Sequence, residues 1–197
     1  MKLLGDMYAA GIGGLPKDNA AALIFRLKAE KGNEAVQKHV VELDKIGNVL
    51  VAQGNLAEAL NSFRDSLASL KHFAKADPDN AGWQHDLSVF HERIGDVLWD
   101  QGNLPAALDS YKAMHAIRER LAAAEPGDVE WQRGLAASYG RVAEVEARPG
   151  ARDQALSGFR NGRDILVRLK AQSTDDAQLP KDLAWFESQI SSLSASR

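Results

Sequence analysis

The sequence predicts an all-α protein built from stacked helix hairpins. Residues 47–94 and 95–142 align without a gap, and more than a third of the aligned positions are identical. A third, more divergent repeat follows from Ala143 in the same register. Apolar residues recur at helical spacing, and no stretch shows the period-two alternation of a strand. Together these observations are typical of repeat proteins, in which each unit buries its apolar face against its neighbours.

The first helix hairpin is predicted within residues 1–33. Apolar residues from Leu3 to Tyr8 share one helical face, and three glycines within residues 11–14 then break the helix. Asp18 is a suitable cap for a second helix, which Gly32 ends. The glycines of a nucleotide-binding G-x-G motif follow a strand, and no strand is predicted before Gly11 and Gly13. A nucleotide-binding loop is therefore not predicted.

Two kinds of turn alternate along the rest of the chain. A Gly-Asn pair ends the first helix of a hairpin at Gly54 and again at Gly102, and the asparagine is expected to cap the helix that follows. A turn containing Pro78 or Pro126 follows the second helix. These signals predict helices near residues 34–54, 55–76, 80–101, 104–125, 128–147, 152–171 and 178–194.

Small residues are predicted to face aromatic residues inside each hairpin. Gly47 falls opposite Phe63, and Ala143 falls opposite Phe159, so the two helices can approach closely where the ring fills the gap. Gly162 stands inside a helix of the third repeat, where glycine costs about 1 kcal/mol relative to alanine. We therefore interpret the third repeat as degraded.

This order of small and large residues resembles the tetratricopeptide repeat, and it recurs over residues 34–197. Residues 1–33 resemble the related Sel-like repeat. The residues that carry the first resemblance are Gly95, Leu98, Gly102, Ala107, Tyr111 and Pro126. Those that carry the second are Leu4, Gly5, Tyr8, Gly11, Gly13, Asp18, Ala21 or Ala22, Lys28, Ala29 and Gly32.

The resemblance implies a right-handed α-solenoid of antiparallel helix hairpins with about nine helices. The repeats are expected over residues 34–78, 79–126 and 127–174. A capping helix is expected over residues 178–194, and the whole chain is expected to form one continuous array. The repeat is longer than the common unit of about 34 residues. It resembles the long tetratricopeptide stacks of large bacterial signalling proteins and of motor-protein light chains.

The composition narrows the classes of partner. The chain of 197 residues carries a net charge of −3, whereas a nucleic-acid-binding protein would need a basic surface. No apolar run approaches the length of a membrane helix, and a membrane partner is not predicted. The absence of cysteine excludes disulfides and thiolate chemistry. A cytoplasmic location is the default expectation.

No pattern in the sequence predicts catalysis, a metal or a cofactor. His85 and His91 are six residues apart, whereas helices that bind zinc place their histidines four apart. His91 and His115 fall on core faces and are interpreted as packing residues. Nucleophile elbows, phosphate loops and EF-hand loops do not occur. The chain is therefore not expected to be an enzyme.

The predicted binding residues lie off the core stripe of the first helix of each hairpin, because that helix faces the groove in tetratricopeptide stacks. Lys45, Asn48, Arg93 and Arg141 approach the pattern of the family's carboxylate-binding version. Glu92 and Asp96 would repel a terminal carboxylate, which argues against a binder of chaperone tails. The full predicted set is Asp44, Lys45, Asn48, Glu92, Arg93, Asp96, Trp99, Arg141, Glu144 and Arg148.

Trp99 replaces Val51 and Ala147 at the equivalent position of the other repeats. An aromatic residue flanked by acid and base is typical of a binding hot spot. Packing of Trp99 on a neighbouring helix is the alternative, and the sequence leaves both open.

The sequence thus predicts a non-catalytic scaffold that holds a peptide or helix of another protein in its concave groove. Self-association is a second kind of partnership that such a surface allows. The alternative function is a sensor or oligomerisation segment of a larger bacterial signalling enzyme. An enzyme in its own right has no supporting motif.

Overall fold

The computed structural model describes residues 38–148, 151–172 and 176–195, and all regular secondary structure in these segments is α-helical. The predicted hairpin of residues 1–33, with two of the expected helices, lies outside the described residues. Each described helix ends within two residues of its predicted end. The helices are α1 (residues 38–52), α2 (Leu56–Ala76), α3 (Ala81–Asp100), α4 (Leu104–Ala124), α5 (Val129–Glu146), α6 (Arg152–Gln172) and α7 (Leu179–Ala195).

The two Gly-Asn turns depend on left-handed glycines. Gly54 has a φ of 78° and Gly102 a φ of 74°, a conformation that other residues adopt only with strain. An added Cβ would meet no atom within 4 Å at either position, so the backbone angle rather than crowding requires glycine there. The sequence signal for these helix ends is therefore confirmed.

Side-chain caps begin three of the helices but not α2. Asn80 Oδ1 accepts the backbone N–H of Trp83 at 3.0 Å, and Asp128 Oδ1 accepts that of Trp131 at 2.9 Å. Asn103 caps α4 in the same way. The expected cap by Asn55 is wrong, because its side chain makes no capping hydrogen bond.

The described residues fall into two compact units, one that runs to Gln101 and one that starts at Gly102. In the first unit, α2 packs against α3 through a chain of aromatic rings. The Phe63 and Phe90 ring centroids are 6.3 Å apart, and Phe73 stacks on Trp83 at 5.2 Å. Trp83 is buried and belongs to this core.

The close approach of α1 and α2 depends on Gly47. A Cβ added there would lie 2.3 Å from Cε1 of Phe63, a distance that real side chains do not reach. Phe63 is itself buried in the core of the first unit. The predicted pairing of a small residue with an aromatic ring is confirmed for this hairpin.

In the second unit, α5, α6 and α7 share one apolar core. Phe159 and Ala143 belong to it, with Leu166 and Phe186 from the flanking helices. A Cβ on Gly162 would lie 2.5 Å from the Phe186 ring and 2.9 Å from the carbonyl oxygen of Ala136. The interpretation of Gly162 as decay is therefore wrong, because glycine is what lets α6 approach both neighbours.

The start of α7 is fastened to α5 by Arg133. Its guanidinium donates to Asp176 at 2.9 Å and, through Nε and Nη2, to Asp182 at 3.2 and 3.0 Å. Asp176 also accepts the backbone N–H of Gln178, and this hydrogen bond is the main cause that lowers the pKa of Asp176. The ionised carboxylate therefore favours the folded state above its ordinary pKa, and this contribution is lost as the pH falls.

The end of α7 is fastened to α6 by a second arginine. Arg152, the first residue of α6, donates through Nη2 to the backbone carbonyl oxygens of Leu193 and Ser194. These carbonyls belong to the last turn of α7, where no further helical N–H is available to them. Arg152 thus satisfies part of the C-terminal end of α7.

His115 packs inside the second unit. Ser138 Oγ donates to the Leu135 carbonyl at 2.7 Å, so with its single proton already used it accepts from His115 Nδ1 at 2.8 Å. The His115 ring meets Tyr139 edge to face, with centroids 4.4 Å apart. Burial lowers the pKa of His115. The prediction that this histidine is a hydrogen-bonded packing residue is confirmed.

His91 makes the first unit sensitive to acid. Burial, aided by the charge of Lys71, lowers the pKa of His91 from 6.5 to about 4. Between pH 6.5 and about pH 4, His91 therefore binds a proton in the unfolded chain but not in the folded chain. The free energy of unfolding falls as the pH drops below the unfolded pKa.

We expect His91→Leu, which places the residue of the equivalent Leu43 at this position, to flatten the dependence of stability on pH. After allowance for solvent screening, the wild type should lose about 1–2 kcal/mol more than the variant between pH 7 and pH 5. Urea unfolding at the two pH values measures this difference. Parallel losses in both proteins would show that His91 is not the titrating group.

Candidate functional site

Each unit contains a cleft between two helices, and each of these helices is the first helix of its repeat. The first cleft, of about 400 Å³, lies between α1 and α3, and the second, of about 320 Å³, lies between α5 and α7. Val40, Val41, Asp44, Leu70, Trp83, Asp86, Val89 and Phe90 line the first cleft. Arg133, Ala137, Arg141, Glu144, Leu166, Asp182, Trp185 and Phe186 line the second.

The two clefts are equivalent by the repeat of the sequence. Five residues that line the first cleft have counterparts that line the second cleft. Each counterpart lies two repeat lengths further along the chain. Both clefts therefore have an apolar floor with an aspartate at the same edge. The equivalent pairs are Val41 and Ala137, Leu70 and Leu166, Asp86 and Asp182, Val89 and Trp185, and Phe90 and Phe186.

Three predicted binding residues meet in the first unit. Asn48 Nδ2 donates to Asp44 Oδ2 at 3.0 Å, and Arg93 Nε lies 3.6 Å from Asp44 Oδ1. These two facing atoms are buried and attract each other without a hydrogen bond. Lys45 is exposed and pairs with Glu42 on its own helix at 3.6 Å. Of this group, Asp44 lines the first cleft.

Two predicted residues of the second unit, Arg141 and Glu144, line the second cleft and lie 3.5 Å apart on one face of α5. Arg148 follows the end of α5 and is exposed. Because Arg93 and Arg141 both have carboxylate partners within the protein, neither resembles an arginine reserved for a terminal carboxylate.

Glu92, Asp96 and Trp99 lie on α3 and are partly buried. They are not among the residues that line the first cleft. Trp99 stays a prediction as a binding residue.

Sequence reasoning missed Trp185. This side chain is 37 % exposed on the second cleft, and it meets Phe159 and Phe186 edge to face. A Cβ on Gly140 would lie 2.9 Å from Trp185 Cζ3, so the indole ring depends on the missing side chain of Gly140. The sequence holds a signal for this pair, since Gly140 replaces the Glu92 of the preceding repeat.

Neither cleft has the residues of a metal centre. In the described segments, no group of three or more histidine or acidic residues is placed to hold a metal ion. None of the described helices is long and apolar enough to cross a membrane. The clefts offer apolar surface bordered by ion pairs, which suits recognition of another chain.

A comparison with known protein families finds a match over part of the chain. No curated protein matches the sequence. Residues 43–72, which include Asp44 and Leu70 of the first cleft, match the family model described as tetratricopeptide repeat. Over this stretch the chain is similar to the tetratricopeptide repeat, a family that generally mediates protein–protein interaction.

Proposed function

We propose that the protein is a non-catalytic scaffold that binds a peptide or helix of another protein along the first helices of its hairpins. The observation that carries this proposal is the recurrence of one cleft at repeat-equivalent positions of both units. Two equivalent clefts, one in each unit, suit recognition of the same kind of ligand segment.

The chemistry of the linings supports an amphipathic ligand. Each floor is formed by a leucine and a phenylalanine, Leu70 and Phe90 in the first cleft and Leu166 and Phe186 in the second. Ion pairs border these floors, and charged borders steer and orient a partner more than they add affinity. Of the ten residues predicted from the sequence, we propose the nine charged or polar ones as its polar contacts and Trp99 as an apolar anchor.

Site-specific photo-crosslinking in the intact chain tests this proposal. A crosslinking amino acid replaces Val41 or Ala137, which line the two clefts and are exposed. Ala68 and Ala116 are the matched controls, because they are exposed, repeat-equivalent positions on α2 and α4 outside both linings. Crosslinked peptides are identified by mass spectrometry.

We expect the same partner protein to be captured from Val41 and Ala137 and from neither control position. Equal capture from Ala68 and Ala116 would contradict binding in the clefts. Capture of the same chain alone would favour self-association, and thus an oligomerisation segment, over a scaffold for other proteins.

A further inference from the structure

At two facing positions the second cleft holds different residues from the first. The first cleft has Asp44 on α1 and Val89 on α3, whereas the equivalent positions of the second unit hold Gly140 on α5 and Trp185 on α7. The six-membered edge of the indole ring lies against Gly140, since Cζ3 and Cη2 are the atoms that an added Cβ would meet. A glycine and a tryptophan together thus present an aromatic surface to the cleft.

The charges of the second cleft favour a cation. Arg133 is shared by Asp176 and Asp182, so two carboxylates face one guanidinium. Arg141 and Glu144 offset each other at 3.5 Å. The lining itself holds two guanidinium groups and two carboxylates, and Asp176, which contacts Arg133 from outside the lining, adds a third carboxylate next to the cleft and its partly exposed indole ring.

The same balance holds in the first cleft. Two carboxylates, Asp44 and Asp86, line the first cleft, where Arg93 lies 3.6 Å from Asp44 and the His85 ring lies 3.6 Å from Asp86. Asp86 and Asp182 occupy equivalent positions, so both clefts share an aspartate at the same place in their lining. An acidic ligand would meet repulsion in each of them.

We propose that the second cleft recognises a basic and apolar segment of a partner protein. An aliphatic side chain packs on Leu166 and Phe186, and a neighbouring lysine or arginine lies against the indole ring of Trp185. Cations bind to the face of tryptophan, and Glu144 offsets the positive charge of Arg141, which would otherwise repel such a ligand. This inference rests on the proposed function and adds the chemical class of its ligand.

Three synthetic peptides test the ligand class with the full chain. They share leucines at helical anchor spacing and carry lysine, glutamine or glutamate at all other positions. Fluorescence anisotropy measures each dissociation constant at low and at physiological salt. We expect the lysine peptide to bind at least about tenfold more tightly than the glutamate peptide, with the difference shrinking as salt rises.

Variants locate the binding. Trp185→Val, which places the residue of the equivalent Val89 at this position, leaves the net charge unchanged and should weaken the lysine peptide by at least about threefold. Glu144→Gln should weaken the same peptide, whereas Glu187→Gln, an equal charge change at an exposed position of α7 outside the lining, should not. Circular dichroism checks that each variant is folded.

The outcomes separate this inference from the proposed function. Binding of the glutamate peptide as tightly as the lysine peptide would overturn the ligand class and leave a groove-binding scaffold standing. Lysine-peptide binding that is unchanged by both Trp185→Val and Glu144→Gln would overturn the assignment to the second cleft. Failure of all three peptides to bind at millimolar concentration would count against both the inference and the proposed function.

Discussion

Gly162→Ala should lower the free energy of unfolding by about 1–3 kcal/mol, although alanine is the better helix former. The new methyl group would lie 2.5 Å from the Phe186 ring and 2.9 Å from the carbonyl oxygen of Ala136. The ring could turn aside, but the carbonyl belongs to the backbone of α5. Either α6 moves away from α5 or Phe186 leaves its place in the core, and both cost packing.

Gly134→Ala is the matched control in the same unit. Gly134 also lies inside a helix, but the nearest atom to an added Cβ is Cδ of the flexible Arg118 side chain, at 3.7 Å. This substitution should gain up to about 1 kcal/mol, because alanine loses less entropy in a helix. Urea unfolding of both variants measures the two changes. Changes of the same sign would contradict the close packing at Gly162.

Arg133→Met should destabilise the second unit by about 2 kcal/mol through its two hydrogen bonds to Asp182 alone. The side chains of Arg133 and Asp182 are only 24 % and 29 % exposed, so water replaces the lost interaction poorly. Removal of the guanidinium also leaves the carboxylates of Asp176 and Asp182 without the positive charge that offsets both. Their repulsion destabilises the folded state further.

Arg163→Met is the control for this variant. Arg163 contacts Asp164 at 2.6 Å, a shorter distance than any within the Arg133 cluster, but their side chains are 35 % and 52 % exposed. An exposed pair contributes less than about 1 kcal/mol, so this variant should melt near the wild type. Thermal melts followed by circular dichroism compare the two. An equal loss in Arg163→Met would show that burial does not set the difference.

The helices could be predicted from the sequence because their ends depend on local chemistry. Gly54 and Gly102 end helices through their own backbone angle, and Asn80 and Asp128 cap helices through residues three positions away. Such signals need no knowledge of the rest of the fold. Asn55 shows the limit of this reasoning, since a suitable cap residue in the right place makes no capping bond.

The candidate site was predicted less well because it depends on contacts between distant residues. Arg133 pairs with carboxylates more than forty positions further along the chain, and the sequence does not indicate which partner it selects. Trp185 lines a cleft only because Gly140, on another helix, has no side chain. When each helix is considered separately, neither Gly140 nor Gly162 is assigned a role in packing.

The fastening of α7 by two arginines has a consequence for how the second cleft can open. A helix held at its start alone unravels turn by turn from the other end, where carbonyl groups lack partners. Here Arg152 binds the end of α7 and Arg133 binds its start. Because both ends are held, neither end of the helix unravels first. We expect α7 to detach as one piece. Since α7 forms one wall of the cleft, the binding surface is then either whole or absent, and a ligand that occupies it also locks the helix in place.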